Sequence, residues 1–379
     1  MKPLYYPLAQ DSSNTLDVEL DIENPMLIAI IRIIQFKRVL CSVLLASEHV
    51  FISFLILPFA SFCQMSTNES QMLRLYEDND FINVHFSGSD KAYTHGFRAD
   101  IFYTKKDDDP VFGERLSLKA GVSSIDTYGW GLMQVMVTPG DLSNPAIQSS
   151  DYRYACSLSV SRTRHSSNYD KKYNLQTEYV VGLLGPIAMG KETQDSMHKL
   201  IHDEMPRGWN TQLKAAPLLN INVSAEKQIF NIGKSSEFIG GVKSSLGTSL
   251  TAFSVYTLLR IGKMNPYFSG YINQYMQQGK RTESWQLYGI VRPSLDFVVR
   301  NAHVQGGTFR PERTENNPNS ESSSGGEKQN LTHAGYALDY GIVLAFRKLS
   351  ITLTQRDLYA MIKGQTRHEV GNISIYAAL

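Results

Sequence analysis

The stretch YALDYGIVLAF, Tyr336–Phe346, decides the fold class. Successive side chains of a β-strand point to opposite faces of the sheet, so every second residue shares a face. In this stretch one face is wholly apolar or aromatic, and its length of roughly ten residues is what a tilted strand needs to cross a bilayer. The residues of that face are Tyr336, Leu338, Tyr340, Ile342, Leu344 and Phe346.

The same alternation recurs along the chain, in Leu219–Glu226, Leu175–Leu183 and Val291–Arg300. A soluble antiparallel sandwich would show a similar pattern with its apolar face buried. Sandwich strands are usually shorter, however, and a Tyr or Phe at the end of so many long strands suits a membrane interface. We therefore predict an all-β protein that folds as a transmembrane antiparallel β-barrel.

The composition agrees with a β-rich membrane protein and excludes one class of partner. The chain of 379 residues has 20 Tyr and 17 Phe, which would supply aromatic girdles at the two membrane interfaces. Its net charge is only +1, so no overall field attracts nucleic acid, and we expect no nucleic-acid partner.

The first 64 residues differ from the rest of the chain. After a polar start come basic residues, an apolar core and small residues before Cys63-Gln64, which are the parts of an export signal. A true membrane anchor is the alternative, although Glu48-His49 interrupts the apolar run. We predict an N-terminal extension and signal peptide over residues 1–64 and a barrel domain over residues 65–379.

The cysteines fit an exported chain that gains its stability from a closed sheet. Cys41 and Cys63 fall within the predicted leader, so the mature chain would keep Cys156 alone and could form no internal disulfide.

Two segments depart from the strand pattern. Pro311–Asn330 is rich in Ser, Asn, Glu and Gly, and we expect an external loop there. Gly190–Trp209 places Gln194 and His198 at helical spacing, and Pro206 would stop the helix. The sequence thus predicts a short helix in an extracellular-side loop.

That helix carries the candidate general base. Gln194 and His198 are four residues apart, so their side chains share one face. Nearby carboxylates could orient the imidazole and keep it basic, as a general base requires. Glu204 would converge with His198 only if the helix ends before it. The alternative is a solvated polar helix with an incidental histidine. The carboxylates in question are Glu192, Asp195, Asp203 and Glu204.

A second polar group surrounds the first predicted hairpin. Asn79 and Asp80 close an alternating strand, and a short hairpin would bring Thr94 close to them. Such hard oxygen ligands suit Ca²⁺, although Asn-Asp also marks ordinary turns. Since no Gly-x-Ser-x-Gly, His-Glu-x-x-His or zinc-type cysteine pattern occurs, histidine-activated water with a metal polarising the carbonyl is the remaining hydrolytic scheme.

Several motifs, in order, resemble the outer-membrane lipid A 3'-O-deacylases of the LpxR type. The resemblance covers most of the mature sequence and is strongest from about Arg74 to Lys214. The similar stretches are NDF at Asn79–Phe81, DKAYTHG at Asp90–Gly96, VTPGDL at Val137–Leu142, DYRYA at Asp151–Ala155 and GPIAMGKETQDSMHKLIHDEMPRGWNTQLK at Gly185–Lys214.

The resemblance implies a barrel of about 12 strands in the bacterial outer membrane, acting as a monomer on lipid A or lipopolysaccharide. It implies a Ca²⁺-dependent hydrolase that removes the 3'-linked acyloxyacyl group, with His198 as base and Gln194 and Glu204 beside it. Asn79, Asp80 and Thr94 would bind the cation or position the ester carbonyl. Some members carry an active-site Lys after the Ser/Thr-Pro turn, where this chain reads Asp141-Leu142-Ser143-Asn144.

Two other functions compete with this interpretation. A non-catalytic barrel, either a pore or a scaffold, would have no use for the Gln194/His198 helix. A barrel phospholipase acting on glycerophospholipids would need an activated serine, for which the sequence has no local motif.

Overall fold

A computed structural model describes residues 70–82, 91–105, 114–148, 150–277, 283–308 and 330–379. All of them belong to the unit Cys63–Leu379. The predicted leader over residues 1–64 and nearly all of the predicted external loop Pro311–Asn330 lie outside the described residues.

Twelve antiparallel strands form a closed barrel in which each strand pairs with its neighbours in sequence and β1 pairs with β12. This confirms the predicted fold class. The strands are β1 (Gln71–Asn79), β2 (Ala92–Tyr103), β3 (Ile125–Thr138), β4 (Ala155–Asn168), β5 (Tyr173–Leu184), β6 (Ala216–Ile232), β7 (Ser236–Gly247), β8 (Leu250–Lys263), β9 (Trp285–Asn301), β10 (Ala334–Phe346), β11 (Leu349–Leu358) and β12 (His368–Ala378).

Helical segments are few and short. They are α1 (Gly190–Ile201), α2 (Tyr271–Tyr275) and α3 (Ala302–Gln305), with single 3₁₀ turns at Asp80–Ile82, Glu114–Leu116, Pro186–Ala188 and Trp209–Thr211. Within the described part of the chain, none of the helices has the length and apolarity needed to span a membrane.

Strand β10 shows how the alternating pattern becomes a barrel wall. Tyr336, Leu344 and Phe346 are exposed on the outside, while Val343 and Ala345 between them are buried. An outward apolar face with no protein cover is stable only against lipid, which explains why the aromatic and aliphatic residues occupy it.

The two ends of the barrel differ in their connections. The end at which β1 begins and β12 ends, here the lower end, joins β4 to β5, β6 to β7 and β10 to β11 through short turns and also carries the longer connections from β2 to β3 and from β8 to β9. The upper end carries the two longest connections, from β5 to β6, which contains α1, and from β9 to β10. Outer-membrane barrels keep short turns on the periplasmic side and long loops outside, so the upper end is extracellular.

A polar cavity of about 360 Å³ lies inside the barrel. Arginine and lysine side chains lie among carboxylates on its walls, and several of these charges form ion pairs. Arg98 contacts Glu178 at 2.7 Å, and Arg292 contacts Asp339 at 2.7 Å. The charged side chains that line this cavity, such as Arg74, Arg98 and Arg292, mark the inward face of their strands.

Apolar clusters close the barrel interior above and below that cavity. At the upper end, α3 packs among inward side chains such as Val137, Leu184 and Val298. At the lower end, α2 packs through Ile272 against residues such as Phe102. The interior is therefore filled at both ends rather than open from end to end.

The upper cluster contains a serine–histidine contact. His303 of α3 lies with Nε2 2.8 Å from Oγ of Ser157 on β4, and Ser157 is buried. Burial lowers the pKa of His303 to about 4, so the ring is neutral at pH 7. A neutral ring in this packed cluster fixes α3 to the wall.

We expect acid to loosen this attachment. The pKa of His303 is about 4 in the folded protein and near 6.5 when unfolded, so only the unfolded chain takes up the proton between these values. Stability is therefore lost as pH falls through that window, by on the order of 2 kcal/mol for this group. Thermal unfolding of His303→Gln should lose less between pH 7 and 4.5 than wild type or His202→Gln; equal losses would contradict the assignment.

Candidate functional site

Helix α1 lies on the outside of the barrel. Arg98 on β2 lines the interior, so Phe97 faces outward, and its register partner Gln134 on β3 shares that face. Gln134 donates from Nε2 to the carbonyl oxygen of Ala188 at 2.6 Å and reaches Oγ1 of Thr193 at 3.3 Å. These contacts hold the start of the helix against the lipid-facing wall.

The approach of helix and wall is close at Gly190, the first residue of α1. A Cβ atom there would lie 2.5 Å from the Cβ of Cys156 on β4 and 2.5 Å from the ring of Trp209. Only glycine permits this distance, and it sets the height of the helix above the wall.

The buried stripe of α1 consists of Gly190, Gln194 and His198. Because these residues are four apart, they follow one face of the helix. That face is turned toward the wall, so the amide and the imidazole lie between helix and barrel. The predicted pair thus occupies a covered polar surface, not the solvated side of a polar helix.

The helix ends at Ile201, five residues before Pro206. His202 adopts a left-handed conformation with φ of 61°, and its N–H bonds to the carbonyl of His198. The prediction that Pro206 stops the helix is wrong, since the left-handed residue ends it first.

The early end of α1 determines what orients His198. Nδ1 of His198 donates to the main-chain carbonyl oxygen of Glu204 at 2.5 Å. A carbonyl only accepts, so Nδ1 carries the proton and Nε2 of the neutral ring carries the lone pair. Only 3% of His198 is exposed.

The carboxylates expected around His198 point elsewhere. Asp195 accepts from Lys191 at 2.7 Å, Asp203 accepts from the N–H of Glu204, and the side chain of Glu204 is exposed. The group that bonds Nδ1 of His198 is thus a main-chain carbonyl and not one of these carboxylates.

Gln194 is held by Trp209. The indole N–H donates to Oε1 of Gln194 at 2.8 Å, and an indole cannot accept, so the amide oxygen faces Trp209. Nε2 of Gln194 is buried and has no hydrogen-bond partner among the described residues. An unsatisfied buried donor is costly, which makes it a candidate for contact with a ligand.

The second polar group occupies the same outer wall. Arg74 on β1 lines the interior, so Asn79, at odd spacing from it, faces outward. Asp80 follows in a 3₁₀ turn, is buried, and accepts from the main-chain N–H of Lys91 at 3.2 Å. Thr94 lies at an irregularity of β2, with its hydroxyl 2.6 Å from that of Thr138.

Met136 connects the two groups. It packs in the outer cluster with Trp209, which holds Gln194, and it pairs in register with His95, the neighbour of Thr94. The structure thus places the predicted residues of the helix and those of the hairpin on one side of β1 to β4.

Two residues of this surface were absent from the predicted set. Thr138 closes β3 and pairs with Thr94, and Trp209 fixes the amide of Gln194. Thr138 lies in the VTPGDL motif and Trp209 in the similar stretch Gly185–Lys214, so the sequence contains both residues in stretches that resemble the family, without a role assigned to either.

The donors on the hairpin suit a hard cation. Asp80 offers a carboxylate, Asn79 an amide oxygen, and Thr94 with Thr138 hydroxyls, which is the all-oxygen set that Ca²⁺ prefers. No group of three or more His, Cys, Asp or Glu gathers within the described ranges. A bound Ca²⁺ would therefore complete its shell with neutral oxygens, water or substrate.

Lys91, from the connection between β1 and β2, lies beside the turn at Gly140. This is the turn after which some family members carry a lysine and this chain does not. A Cβ atom on Gly140 would lie 3.3 Å from Cδ of Lys91, so the stem of Lys91 passes along this turn. Asp151 accepts from the N–H of Gly140 at 2.9 Å and fixes the turn.

Apolar side chains surround the covered polar surface. Val160 on β4 and Val181 on β5 are exposed on the wall, and Ile187, Met189 and Leu200 are exposed on and beside α1. An apolar rim around a few buried polar groups is typical of a site for a lipid.

Comparison with known proteins gives one family. The family model described as "Outer membrane protein LpxR" matches residues 49–379. No curated protein matches the chain.

Among solved structures, LpxR from Salmonella typhimurium is similar with a TM-score of 0.61 and 14% identity, over 81% of this chain and 99% of that one. The β domain of the Bordetella autotransporter BrkA gives a TM-score of 0.36 and 9% identity, over 82% and 98% of the two chains. At these identities the likeness concerns the fold.

Proposed function

The chain belongs to the LpxR family of outer membrane proteins, and from this we propose that it is a lipid A deacylase that removes the 3'-linked acyloxyacyl group by hydrolysis. The observation that carries the proposal is the buried stripe of Gln194 and His198, covered by the outer wall and rimmed by apolar side chains. A lipid can reach such a site sideways from the membrane.

His198 is the general base of this reaction. The carbonyl of Glu204 holds the proton on Nδ1, so Nε2 can take a proton from water as that water attacks the ester carbonyl. The same nitrogen then returns the proton to the sugar oxygen as the carbon–oxygen bond breaks. The role of Glu204 is to fix the tautomer through its main chain.

Gln194 stabilises the negative charge that develops on the carbonyl oxygen. Trp209 holds the oxygen end of the amide, which leaves Nε2 as a preorganised donor one helical turn from His198. A donor that is fixed before the reaction costs little reorganisation as the charge appears.

Asn79 and Asp80 would hold the Ca²⁺, and Thr94, fixed by Thr138, would position the ester carbonyl. When bound, the cation supplies Lewis-acid polarisation of that carbonyl. We propose that the enzyme acts as a monomer, because a closed barrel leaves no open sheet edge through which a second copy could pair.

The rival functions find less support in the same features. A pore needs an open interior, whereas apolar clusters fill both ends of this one. A serine phospholipase needs an accessible serine, whereas Ser157 beside His303 is buried in the upper cluster.

Mass spectrometry of lipid A tests the proposed function directly. Cells that produce the protein should accumulate lipid A lighter by one acyloxyacyl unit, and cells without it should not. The same assay on purified lipid A would remove other cellular enzymes. Unchanged lipid A mass in both settings would contradict the proposal.

Removal of the metal tests whether a bound Ca²⁺ takes part in the reaction. Chelation by EDTA should abolish turnover and added Ca²⁺ should restore it, because the carbonyl would lose its polarising partner. Ca²⁺ should also raise the unfolding temperature of the wild type, and this shift should be lost in Asp80→Asn but kept in Asp170→Asn. Full activity after chelation would remove the metal from the mechanism.

A further inference from the structure

The connection between β2 and β3 ends in a segment, residues 115–124, that folds back along the outside of the barrel; we call it the strap. The N–H of Leu118 donates to Oγ1 of Thr177 at 3.0 Å, and the N–H of Ala120 donates to Oγ of Ser166 at 2.8 Å. These bonds tie the strap to β5 and β4.

The anchoring side chains face the membrane side of the wall. On β4, His165 and Ser167 line the interior, so Ser166 and Asn168 face outward. Asn168 donates from Nδ2 to the carbonyl of Ala120 at 2.7 Å. Polar side chains on a lipid-facing wall are costly when bare, and here the strap satisfies them.

The free face of the strap is apolar and flanked by cations. Leu116, Leu118 and Val122 are 80%, 40% and 101% exposed. Arg115 and Lys119 are exposed beside them. Three apolar side chains this exposed would be unfavourable in water, and the mixture is that of a segment lying in a membrane interface.

Outward cations and aromatic rings lie on the same part of the wall. The guanidinium of Arg162 on β4 lies 5.1 Å from the ring centre of Trp130 and 5.4 Å from those of Tyr103 and Tyr128. Aromatic rings on the outer face of a membrane barrel mark the level of the membrane interface. The strap is therefore at the height of the periplasmic leaflet.

Charge favours an anionic lipid. Arg164 and Lys119 share one carboxylate, Asp126, at 2.7 and 3.9 Å. The strap itself, residues 115–124, has two charged residues, Arg115 and Lys119, and both are positive, which attracts phosphate headgroups.

We propose that the strap binds anionic glycerophospholipids of the periplasmic leaflet. Leu116, Leu118 and Val122 enter the acyl region, and Arg115 with Lys119 contact the headgroup phosphates. This anchors the wall beneath α1 at a fixed height in the membrane. The inference does not depend on the proposed catalytic function.

A fluorescent label tests the membrane contact. In a background with Ser in place of Cys41, Cys63 and Cys156, Val122→Cys carries an environment-sensitive dye, and Lys234→Cys on the turn between β6 and β7 is the matched control. In vesicles, phospholipids brominated on the acyl chain should quench the dye at residue 122 and leave that at residue 234 largely unquenched. Equal, weak quenching at both positions would overturn the proposal.

A comparison of lipid headgroups tests whether Arg115 and Lys119 contact the phosphates. Brominated phosphatidylglycerol should quench at residue 122 more strongly than brominated phosphatidylcholine. Arg115→Gln and Lys119→Gln should each reduce this preference by about fivefold. Lys199→Gln, at the upper end, should leave it unchanged.

Two further outcomes would reject the assignment. No preference for phosphatidylglycerol in the unsubstituted strap would exclude recognition of anionic lipid. Shielding of the dye that rises with the protein-to-lipid ratio would assign the face to a second copy of the chain. A folded barrel migrates faster on a gel before boiling than after it. This shift is checked for each variant, so that only folded proteins are compared.

Discussion

Replacing His198 with Ala is expected to lower the rate of lipid A deacylation by about 10²- to 10⁴-fold, the usual contribution of a general base. The loss follows from the removal of Nε2, the nitrogen that the carbonyl of Glu204 leaves unprotonated. Mass spectrometry of the released fatty acyl product over time measures the rate.

The barrel itself should survive this substitution. Helix α1 is attached to the outside of β3 and β4, and the ring of His198 bonds within its own loop. His202→Ala, which alters an exposed histidine of the same loop, is the matched control and should keep most of the activity. A wild-type rate in a folded His198→Ala protein would reject the assignment of the base.

Replacing Gln194 with Ala is expected to lower kcat by about 10²- to 10³-fold, as does the loss of one oxyanion donor in other hydrolases. The amide donor would be strongest against the charged transition state, so KM should change little. Gln194→Glu should be no better, because a carboxylate next to a developing oxyanion repels it.

The variant Trp209→Phe tests whether the orientation of the Gln194 amide matters separately from the packing of the Trp209 ring. Phenylalanine keeps most of the ring contact with Tyr154 but removes the N–H that holds the amide oxygen. The amide can then rotate, and we expect an intermediate fall in kcat. Loss of lipid binding rather than of kcat in these variants would show that Gln194 serves only to hold the substrate.

The sequence predicts the wall of the barrel well because period-two alternation has a single structural meaning in a long strand. The outward face expected from Tyr336–Phe346 is the face that β10 exposes. The number of strands came from the family resemblance, since irregularities such as the one between Tyr93 and His95 blur the pattern locally.

The sequence does not reveal that the candidate site is outside the barrel. Near the upper end both faces of β1 and β2 carry polar residues, so the alternation of Asp78 and Asn79 does not tell which side is inward. Asp78 turns inward, where it accepts from Tyr93 at 3.0 Å and from Asn372 at 2.9 Å, whereas Asn79 turns outward. Only closure of the barrel decides between them.

The end of helix α1 is a second feature that the sequence does not predict. Its existence follows from the spacing of Gln194 and His198, but its end is set by a left-handed histidine, a conformation that sequence rarely predicts. The carbonyl of Glu204 meets His198 only because of that early end. The sequence therefore predicts nearby carboxylate side chains around the ring but not the main-chain carbonyl that bonds Nδ1.

Because the candidate site faces lipid, the lipid or detergent molecules around the protein compete with the substrate for this surface. Detergent tails that coat the wall near Val160 and Val181 would occupy the place of substrate chains. Apparent affinity in micelles should then fall as surfactant is added, at constant enzyme and substrate. Rates measured in bilayers and in micelles would differ for this reason even with identical chemistry.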